Sequence, residues 1–568
     1  MNKKYAGYIL LVILVLAGFL RLYGLNRGDA ISDEVLLAFR AIKMLDFDEG
    51  DFQTTPLEWF DKSDGGIPWW TGLSFHDHPP IVFLIQHVFM RIFGENSVAF
   101  RLPSVLFGLG SVFLIYLLGT LLFSVEAGLL SALLLSTTVN HVYVSRIGLQ
   151  ESYVIFFILL SLYYFFRSDK NDKYFLHSGL ALGFGLLTKY TVGIVIPIIL
   201  TYTLIWQRGY LKNRRFWLGG LWAIVTFSPV IIYNIEMYRA VGHFDFQISA
   251  MMGDRPAKWP VQPGKEIGSM TDRLMVYLPN LFATNSPIFI LLLALSVVFF
   301  IYRFFFKVEP SRNTGYSGGG MRFFLVSFGW VAILMLFIGP QFRFLTMLTP
   351  FIALAIGLSL YNAYGYLLGH SVSKFLKFSI VIVFSVLLGF EIFYSWNSQI
   401  ALYPVGGMNT FWSRLRFENY NWGYNELGKF LDEELEGKVP ALTFDLKYDF
   451  LSRIRDEAVT GAIDSGAEPY PALIVWGGNF DKAGKLWTLD RLHIFHGWPI
   501  MSVSTYFSML EERGADFFKR GGFTKSYFIF INNKVPDGND RALSNGAEGV
   551  TIRNSNGDDV FYIYRKEI

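Results

Sequence analysis

The feature that most constrains this chain is the recurrence of apolar runs close to 20 residues long, from Tyr5 to Trp396. A hydrocarbon core about 30 Å thick is crossed by about 20 residues of helix. Inside that core only helices and closed barrels satisfy their own backbone polar groups. The runs fall near 5–23, 100–122, 126–145, 151–167, 174–188, 190–207, 216–234, 285–305, 321–339, 343–367 and 375–396. They predict a polytopic α-helical membrane protein with about eleven transmembrane helices. Composition agrees, because 52% of the residues are hydrophobic and only 17% charged, against about 25% charged in soluble domains. The stretch "MNKKYAGYILLVILVLAGFLRLYG" starts like a signal peptide, but no small-residue cleavage site follows, so it reads as a retained first span.

The formal net charge is only +3, and Lys and Arg sit in short clusters between apolar runs, which argues against a nucleic-acid surface. Those clusters report orientation instead, since short basic loops stay cytoplasmic. Asn2-Lys3-Lys4, "RSDKNDK" (167–173), "QRGYLKNRRF" (207–216), the stretch from Arg303 to Arg322 and "GHSVSKFLK" (369–377) then share the cytoplasmic side with the N-terminus. The opposite side receives the first loop (24–99), the loop from Ile235 to Thr284, the turn "GPQFRF" and everything after Trp396. The segment Ile81–Phe93 would cover only about 20 Å as a helix, so it is expected to lie in the plane of the interface. Cysteine is absent, which excludes disulfides, thiol nucleophiles and Cys-type zinc sites.

Beyond Trp396 hydropathy falls. The short β-like runs "ALTFDL", "ALIVWGG", "YFIFIN" and "VFYIYRK" alternate with helix-like stretches such as "NELGKFLDEELEG" and "STYFSMLEERGADFFKRG". This predicts a C-terminal extracytoplasmic α/β domain over 397–568, following a transmembrane domain over 1–396.

Polar groups collect at the ends of spans on the side opposite the basic loops. Asp33 and Glu34 open the first-loop helix "SDEVLLAFRA". "HDHPP" (76–80) precedes the in-plane helix. Arg146 and Glu151 lie in "SRIGLQES", Lys189 in "LTKY" and Arg343 in "GPQFRF". Each has a plain structural reading. Ser-Asp-Glu suits a helix start, Pro79-Pro80 suits a first turn, and Arg146, Lys189 and Arg343 can snorkel to lipid headgroups. Glu151 can simply pair with Arg146, and the other first-loop acids (Asp46, Asp48, Glu49, Asp51, Glu58, Asp61 and Asp64) read as a solvated surface. Cations beside carboxylates at one membrane face also suit a different task. The cations suit a lipid-linked phosphate and a carboxylate suits removal of a hydroxyl proton.

Four ordered blocks resemble a known family. "SDEVLLAFRA" is similar to the acidic first-loop motif of the protein O-mannosyltransferases. It is followed by "HDHPPIVFLIQHVFMRIFGENSVAFRLPSVLFGLGSVFLIYLLGTLLF", "YVSRIGLQESYVIFFILLSLYYFF" and "GLALGFGLLTKYTVGIVIP"; "QFRFLTMLTPFIALAIG" matches more loosely. The resemblance is to C-type-fold membrane glycosyltransferases that use polyprenyl-phosphate sugars, including aminoarabinose and mannosyl transferases. It implies an inverting glycosyltransferase that moves a sugar to an acceptor hydroxyl on a protein, lipid or glycan. By the same resemblance, Asp33 is the catalytic base and Glu34 supports it or contacts substrate. Asp77 and His78 line the cavity, with Glu151 a further substrate-side candidate, and Arg146, Lys189 and Arg343 are candidates for the donor phosphate. Undecaprenyl and dolichyl phosphate both fit. "HDH" is too compact to form a metal site by itself, and protein cations already occupy the phosphate's surroundings, so transfer without metal or cofactor is expected, with a divalent ion as the open alternative. The competing classes are a lipid-linked-sugar flippase, which would carry charged side chains within its spans, and a membrane-anchored binding protein, which would leave the first-loop acids exchangeable.

Overall fold

The computed structural model describes all residues except 1–2, 31, 48–54, 255, 257–267, 306–317, 370–372, 416–420 and 533–547. Every apolar run is helical. Six helices are long and apolar enough to cross a membrane: Lys3–Leu22, Ser97–Leu122, Arg214–Val241, Gly318–Ile338, Thr349–Gly369 with the 3-10 turn before it, and Lys374–Gln399. A seventh is the pair Val125–Thr137 and Val139–Arg146, bent by 62°. The remaining runs form shorter helices, Glu151–Arg167, Tyr174–Leu186, Tyr190–Trp206 and Pro287–Tyr302. Of the eleven expected crossings, six or seven are thus helices of full spanning length among the described residues and the other four are shorter apolar helices. Ile81–Phe93 is a 13-residue helix, and its buried Gln86 donates to the carbonyls of Phe100 (3.2 Å) and Gly148 (2.9 Å).

Starts and breaks follow local chemistry. Asn96 and Ser124 cap the next two helices, accepting from the N–H groups of Ala99 (3.0 Å) and Ala127 (3.2 Å). The bend at Thr138 frees carbonyls that Arg21 takes up. Its fully buried guanidinium donates to Ser136 O at 2.9 Å and Leu135 O at 3.3 Å, and lies 2.8 Å from His141 Nδ1. Charge is therefore present within the spans, at Arg21 and at buried Glu391, but Arg21 closes a helix break and Glu391 accepts from Ser286 Oγ. Neither has the serial arrangement of a transport pathway.

The chain divides into two compact units, residues 1–25 with 69–417, and residues 26–68 with 418–568. The boundaries differ from those read off hydropathy, which placed 24–99 with the spans. The physical reason is a set of long-range caps. Asp29 accepts from the N–H groups of Trp422, Gly423 (3.1 Å) and Asn425 (3.0 Å) at the start of helix Tyr424–Glu434. Asp61 accepts from Asp449 N–H (2.8 Å) and Phe450 N–H (3.0 Å) at the start of helix Asp449–Asp464. Burial pushes the Asp29 carboxyl up to about 6, against those amide donors.

In this second unit, strands β1 (Lys438–Pro440) and β2 (Glu468–Tyr470) pair in parallel. Strands β3 (Ala472–Gly477), β4 (Ile500–Ser502), β5 (Lys525–Ile531), β6 (Glu548–Arg553) and β7 (Asp559–Glu567) form a five-stranded sheet in the order β4-β3-β5-β7-β6. The first three are mutually parallel, and β7 runs antiparallel to both neighbours. An α/β domain is thus present, with "ALIVWGG", "YFIFIN" and "VFYIYRK" as its central strands. "ALTFDL" is not a strand. The β1–β2 pairing ends with Pro440 opposite Tyr470, and its last bond runs from Ala441 N–H to Tyr470 O at 3.2 Å.

Of the first-loop acids read as a solvated surface, Asp46 is buried, Asp61 caps a helix and Glu58 accepts from Thr55 N–H in a capping box. Asp64 is exposed as expected, and Asp48, Glu49 and Asp51 lie outside the described residues.

Candidate functional site

In the first unit three residues far apart in sequence meet at the starts of three apolar helices. Glu151 is the first residue of helix Glu151–Arg167, Lys189 immediately precedes the 3-10 turn Tyr190–Ile194, and Arg343 precedes the 3-10 turn Phe344–Leu348. Lys189 Nζ lies 2.9 Å from Glu151 Oε1, and Arg343 Nε lies 4.0 Å from the same oxygen. Glu151 is 2% exposed, while the Lys189 and Arg343 side chains keep 16% and 23%. The carboxylate is thus at the back and the cations toward the opening. Both cations also flank one ring, with Lys189 Nζ at 4.8 Å and Arg343 Cζ at 5.5 Å from the Phe344 centroid. The formal charge of the trio is +1. A buried carboxylate between two part-exposed cations fixes them in place, and cations held so are suited to meeting an anion. Glu151 accordingly holds the cations rather than presenting itself to substrate.

A second polar patch adjoins through Lys189's neighbour. The N–H of Ile81 donates to Leu187 O at 3.1 Å, tying the "HDHPP" loop to the Lys189 turn. In that loop Asp77 Oδ2 lies 3.1 Å from His78 Nδ1, and Asp77 Oδ1 lies 4.0 Å from Nδ1 of the fully buried His76. The His76 carbonyl accepts from Phe246 N–H at 2.8 Å. Next to Phe246, buried Asp245 accepts from Tyr190 OH, from Asn234 Nδ2 (2.9 Å) and from Ile248 N–H (2.8 Å). Burial pushes the Asp245 carboxyl up against those donors, and the charge of Asp77 pushes in the same direction. Tyr190, Asn234 and Asp245 carried no signal in the sequence beyond being polar residues at run ends. The structure makes them the support of the Asp77 loop.

Arg146 has a different task from the one expected. It is buried, and its guanidinium donates to four carbonyls at the end of the first helix, Leu20 (3.0 Å), Arg21 (3.0 Å), Tyr23 (2.9 Å) and Gly24 (3.0 Å). That is a C-terminal cap, and Arg146 leaves the donor-phosphate set. It does not pair with Glu151 either, whose cations are Lys189 and Arg343.

Asp33 and Glu34 belong to the second unit, in the first turn of helix Ser32–Lys43. Glu34 is buried and Asp33 half-buried. Ser32 takes φ 55°, a left-handed conformation costing about 1–3 kcal/mol for a non-glycine residue. It is therefore not the extended cap its type suggested. Met44 at φ 52° ends the helix, with Leu45 N–H donating to Arg40 O at 2.9 Å. Phe39 anchors the helix against Phe495, centroids 4.7 Å apart. The first-turn carboxylates are thus held on a rigid, partly strained element.

Comparison with known proteins gives a consistent assignment. Residues 77–233 match the family "Dolichyl-phosphate-mannose-protein mannosyltransferase". YycA of Bacillus subtilis (strain 168), provisionally named a mannosyltransferase, is 29% identical over 247 residues, 42% of this chain and 33% of that protein. The undecaprenyl phosphate-alpha-4-amino-4-deoxy-L-arabinose arabinosyl transferase of Wigglesworthia glossinidia brevipalpis is 25% identical over 159 residues, 27% of this chain and 28% of that one. The matched region spans about a third of the length of these curated relatives. Among solved structures, ArnT from Cupriavidus metallidurans bound to undecaprenyl phosphate superposes with a TM-score of 0.52 at 13% identity, covering 100% of this chain and 98% of that one. Both Glu151 and Lys189 fall within the family-matched block. The chain therefore has the membrane fold seen in ArnT, and its residues 77–233 are similar to this mannosyltransferase family.

Proposed function

We propose that this membrane protein is an inverting glycosyltransferase that moves a sugar from a polyprenyl-phosphate donor to an acceptor hydroxyl on the extracytoplasmic face. The acceptor is a protein, lipid or glycan, the N-terminus is cytoplasmic and the α/β part is extracytoplasmic. The observation that carries this reading is the Glu151–Lys189–Arg343 cluster, two fixed cations at the starts of apolar helices inside a polyprenyl-phosphate-type fold. In the proposed step the acceptor oxygen bonds to the anomeric carbon as the bond from that carbon to the phosphate oxygen breaks. The electron pair goes to the phosphate, which gains one negative charge, and the hydroxyl proton goes to Asp33. General-base assistance is worth about 10²–10⁴ in rate, and stabilisation of the departing charge by Lys189 and Arg343 is often the larger contribution. Glu34 points about 100° away around the helix, so it positions rather than shares the proton. Asp77 and His78 face the sugar side. No metal or cofactor enters the step.

The test is transfer of a labelled sugar from polyprenyl phosphate in detergent, comparing wild type with Asp33→Asn. Loss of about 10²-fold or more is expected. Unchanged transfer in the variant removes Asp33 as base, and absence of transfer from every lipid-linked sugar to every acceptor overturns the enzyme reading.

A further inference from the structure

The proposed reaction creates a charge imbalance that the Lys189–Arg343–Glu151 cluster does not cover. A sugar phosphodiester carries one negative charge, which the cluster's +1 balances. The departing phosphate monoester carries about −1.5 to −2 near neutral pH. A further cation is needed for the second charge, and it should stand beside the same turn.

Arg414 stands there. Its Cζ lies 4.6 Å from the centroid of Phe342, the residue immediately before Arg343. The turn 342–344 thus presents Phe342 with Arg414 on it, then Arg343, then Phe344 with Lys189 on it. The backbone on both sides of Arg414 is fixed. Ser413 is fully buried, with its Oγ donating to Ala283 O at 3.1 Å and its N–H donating to Ser398 Oγ at 3.0 Å. Leu415 is 1% exposed, and its N–H donates to Ser413 Oγ at 3.3 Å. Between two buried anchors the Arg414 side chain is exposed. No described acidic residue forms an ion pair with it. A guanidinium lying on a ring keeps its N–H edges for a second ligand, and a phosphate is the ligand its fork geometry fits.

We propose that Arg414 is the leaving-group cation of this enzyme, engaging the polyprenyl phosphate as its second negative charge appears. The inference rests on the glycosyltransferase reading and on Arg343 as the cation that meets the donor. It predicts a division of labour, with Arg343 binding both charge states of the phosphate and Arg414 discriminating between them.

The experiment measures the Kd of the full-length protein in detergent at pH 8 for undecaprenyl phosphate and for its methyl ester, a monoanionic diester that mimics the donor's charge. Wild type is expected to bind the monoester about ten- to hundredfold tighter than the diester, the range of one charge-assisted contact. Arg414→Gln should bring that ratio close to one with the diester Kd unchanged, and Arg414→Lys should restore part of it. Arg343→Ala should weaken both probes. In transfer assays Arg414→Gln should lower kcat with donor KM unchanged. An unchanged ratio in Arg414→Gln, or equal weakening of both probes, overturns the assignment while leaving the glycosyltransferase reading intact. If wild type binds neither probe, that reading falls and the assignment with it.

Discussion

Glu151→Gln separates a carboxylate that holds cations from one that contacts substrate. The substitution keeps shape and one acceptor oxygen but removes the charge between Lys189 and Arg343. At an effective dielectric of about 20, charges 2.9 Å and 4.0 Å apart attract by roughly 6 and 4 kcal/mol before desolvation is subtracted. Removing one partner of a buried pair costs about 3–5 kcal/mol. Here both cations retain some solvent, 16% and 23% of the side chain, so about 2 kcal/mol is the expected net loss. That lowers the melting temperature by on the order of a few degrees. The cluster's charge rises from +1 to +2, and a bound phosphate no longer meets Glu151's repulsion. Added undecaprenyl phosphate should therefore raise the melting temperature more in Glu151→Gln than in wild type, by an amount worth about 1 kcal/mol, or about fivefold in affinity. Turnover should fall, because the cations lose their fixed separation. Thermal unfolding followed by intrinsic tryptophan fluorescence, with and without undecaprenyl phosphate, makes the measurement. A ligand-induced shift equal to or smaller than that of wild type refutes the idea that phosphate and Glu151 compete for the same two cations.

Two further variants test roles assigned by geometry. Arg146→Met leaves four carbonyls of residues 20–24 without their donor and should cost about 3 kcal/mol or more. Protein that still folds should show an unchanged donor KM, and a raised KM would return Arg146 to the phosphate site. Asp29 should confer a pH dependence on the second unit. Its folded carboxyl titrates near 6, above the unfolded value of about 3.9. The folded state therefore binds the proton more tightly, a contribution fully present below about pH 4 and lost as pH rises through about 6. It amounts to at most about 2–3 kcal/mol. Asp29→Asn cannot titrate, so the difference in stability between wild type and variant should change across pH 4–6, and a constant difference sinks the assignment.

The parts of the fold and site that were legible in the sequence are those with local signatures. Lys189 and Arg343 were visible because a single cation between two apolar runs has few structural roles, and their spans followed from hydropathy alone. Glu151 was visible as a polar residue at a run start. Its partners were not, since Lys189 is 38 positions away in sequence and Arg146, only five away, was the nearer candidate. Arg146 was misread for a general reason. A sequence shows donors that need acceptors but not which backbone carbonyls a helix end leaves open, and four of those lie more than 120 positions earlier. The grouping of residues 26–68 with the C-terminal part was equally hidden, because Asp29 and Asp61 cap helices almost 400 residues downstream. Strands β2 and β4, with three residues each, are too short to carry a period-two signal.

The location of the cations follows from how the apolar runs are interrupted. Lys189 and Arg343 each stand immediately before a 3-10 turn that runs on into an apolar helix, and neither side chain caps that turn. First-turn N–H groups have no partner within their own helix, and the helix dipole adds partial positive charge at that end. Two such ends packed beside the start of the Glu151 helix make the region electropositive before any side chain is counted, and an apolar helix start cannot be left so at the edge of a bilayer. Glu151 supplies one negative charge from within, which fixes the resting arrangement. In the proposed function a phosphate supplies the next from outside, in the geometry suited to helix N-termini. Glu151 and Lys189 thus stand at the starts of shorter apolar helices and Arg343 at the start of a full-length one, and these three starts carry the proposed phosphate site. Replacing "LTKY" with apolar residues would fuse the runs on either side of it and remove Lys189 from the cluster.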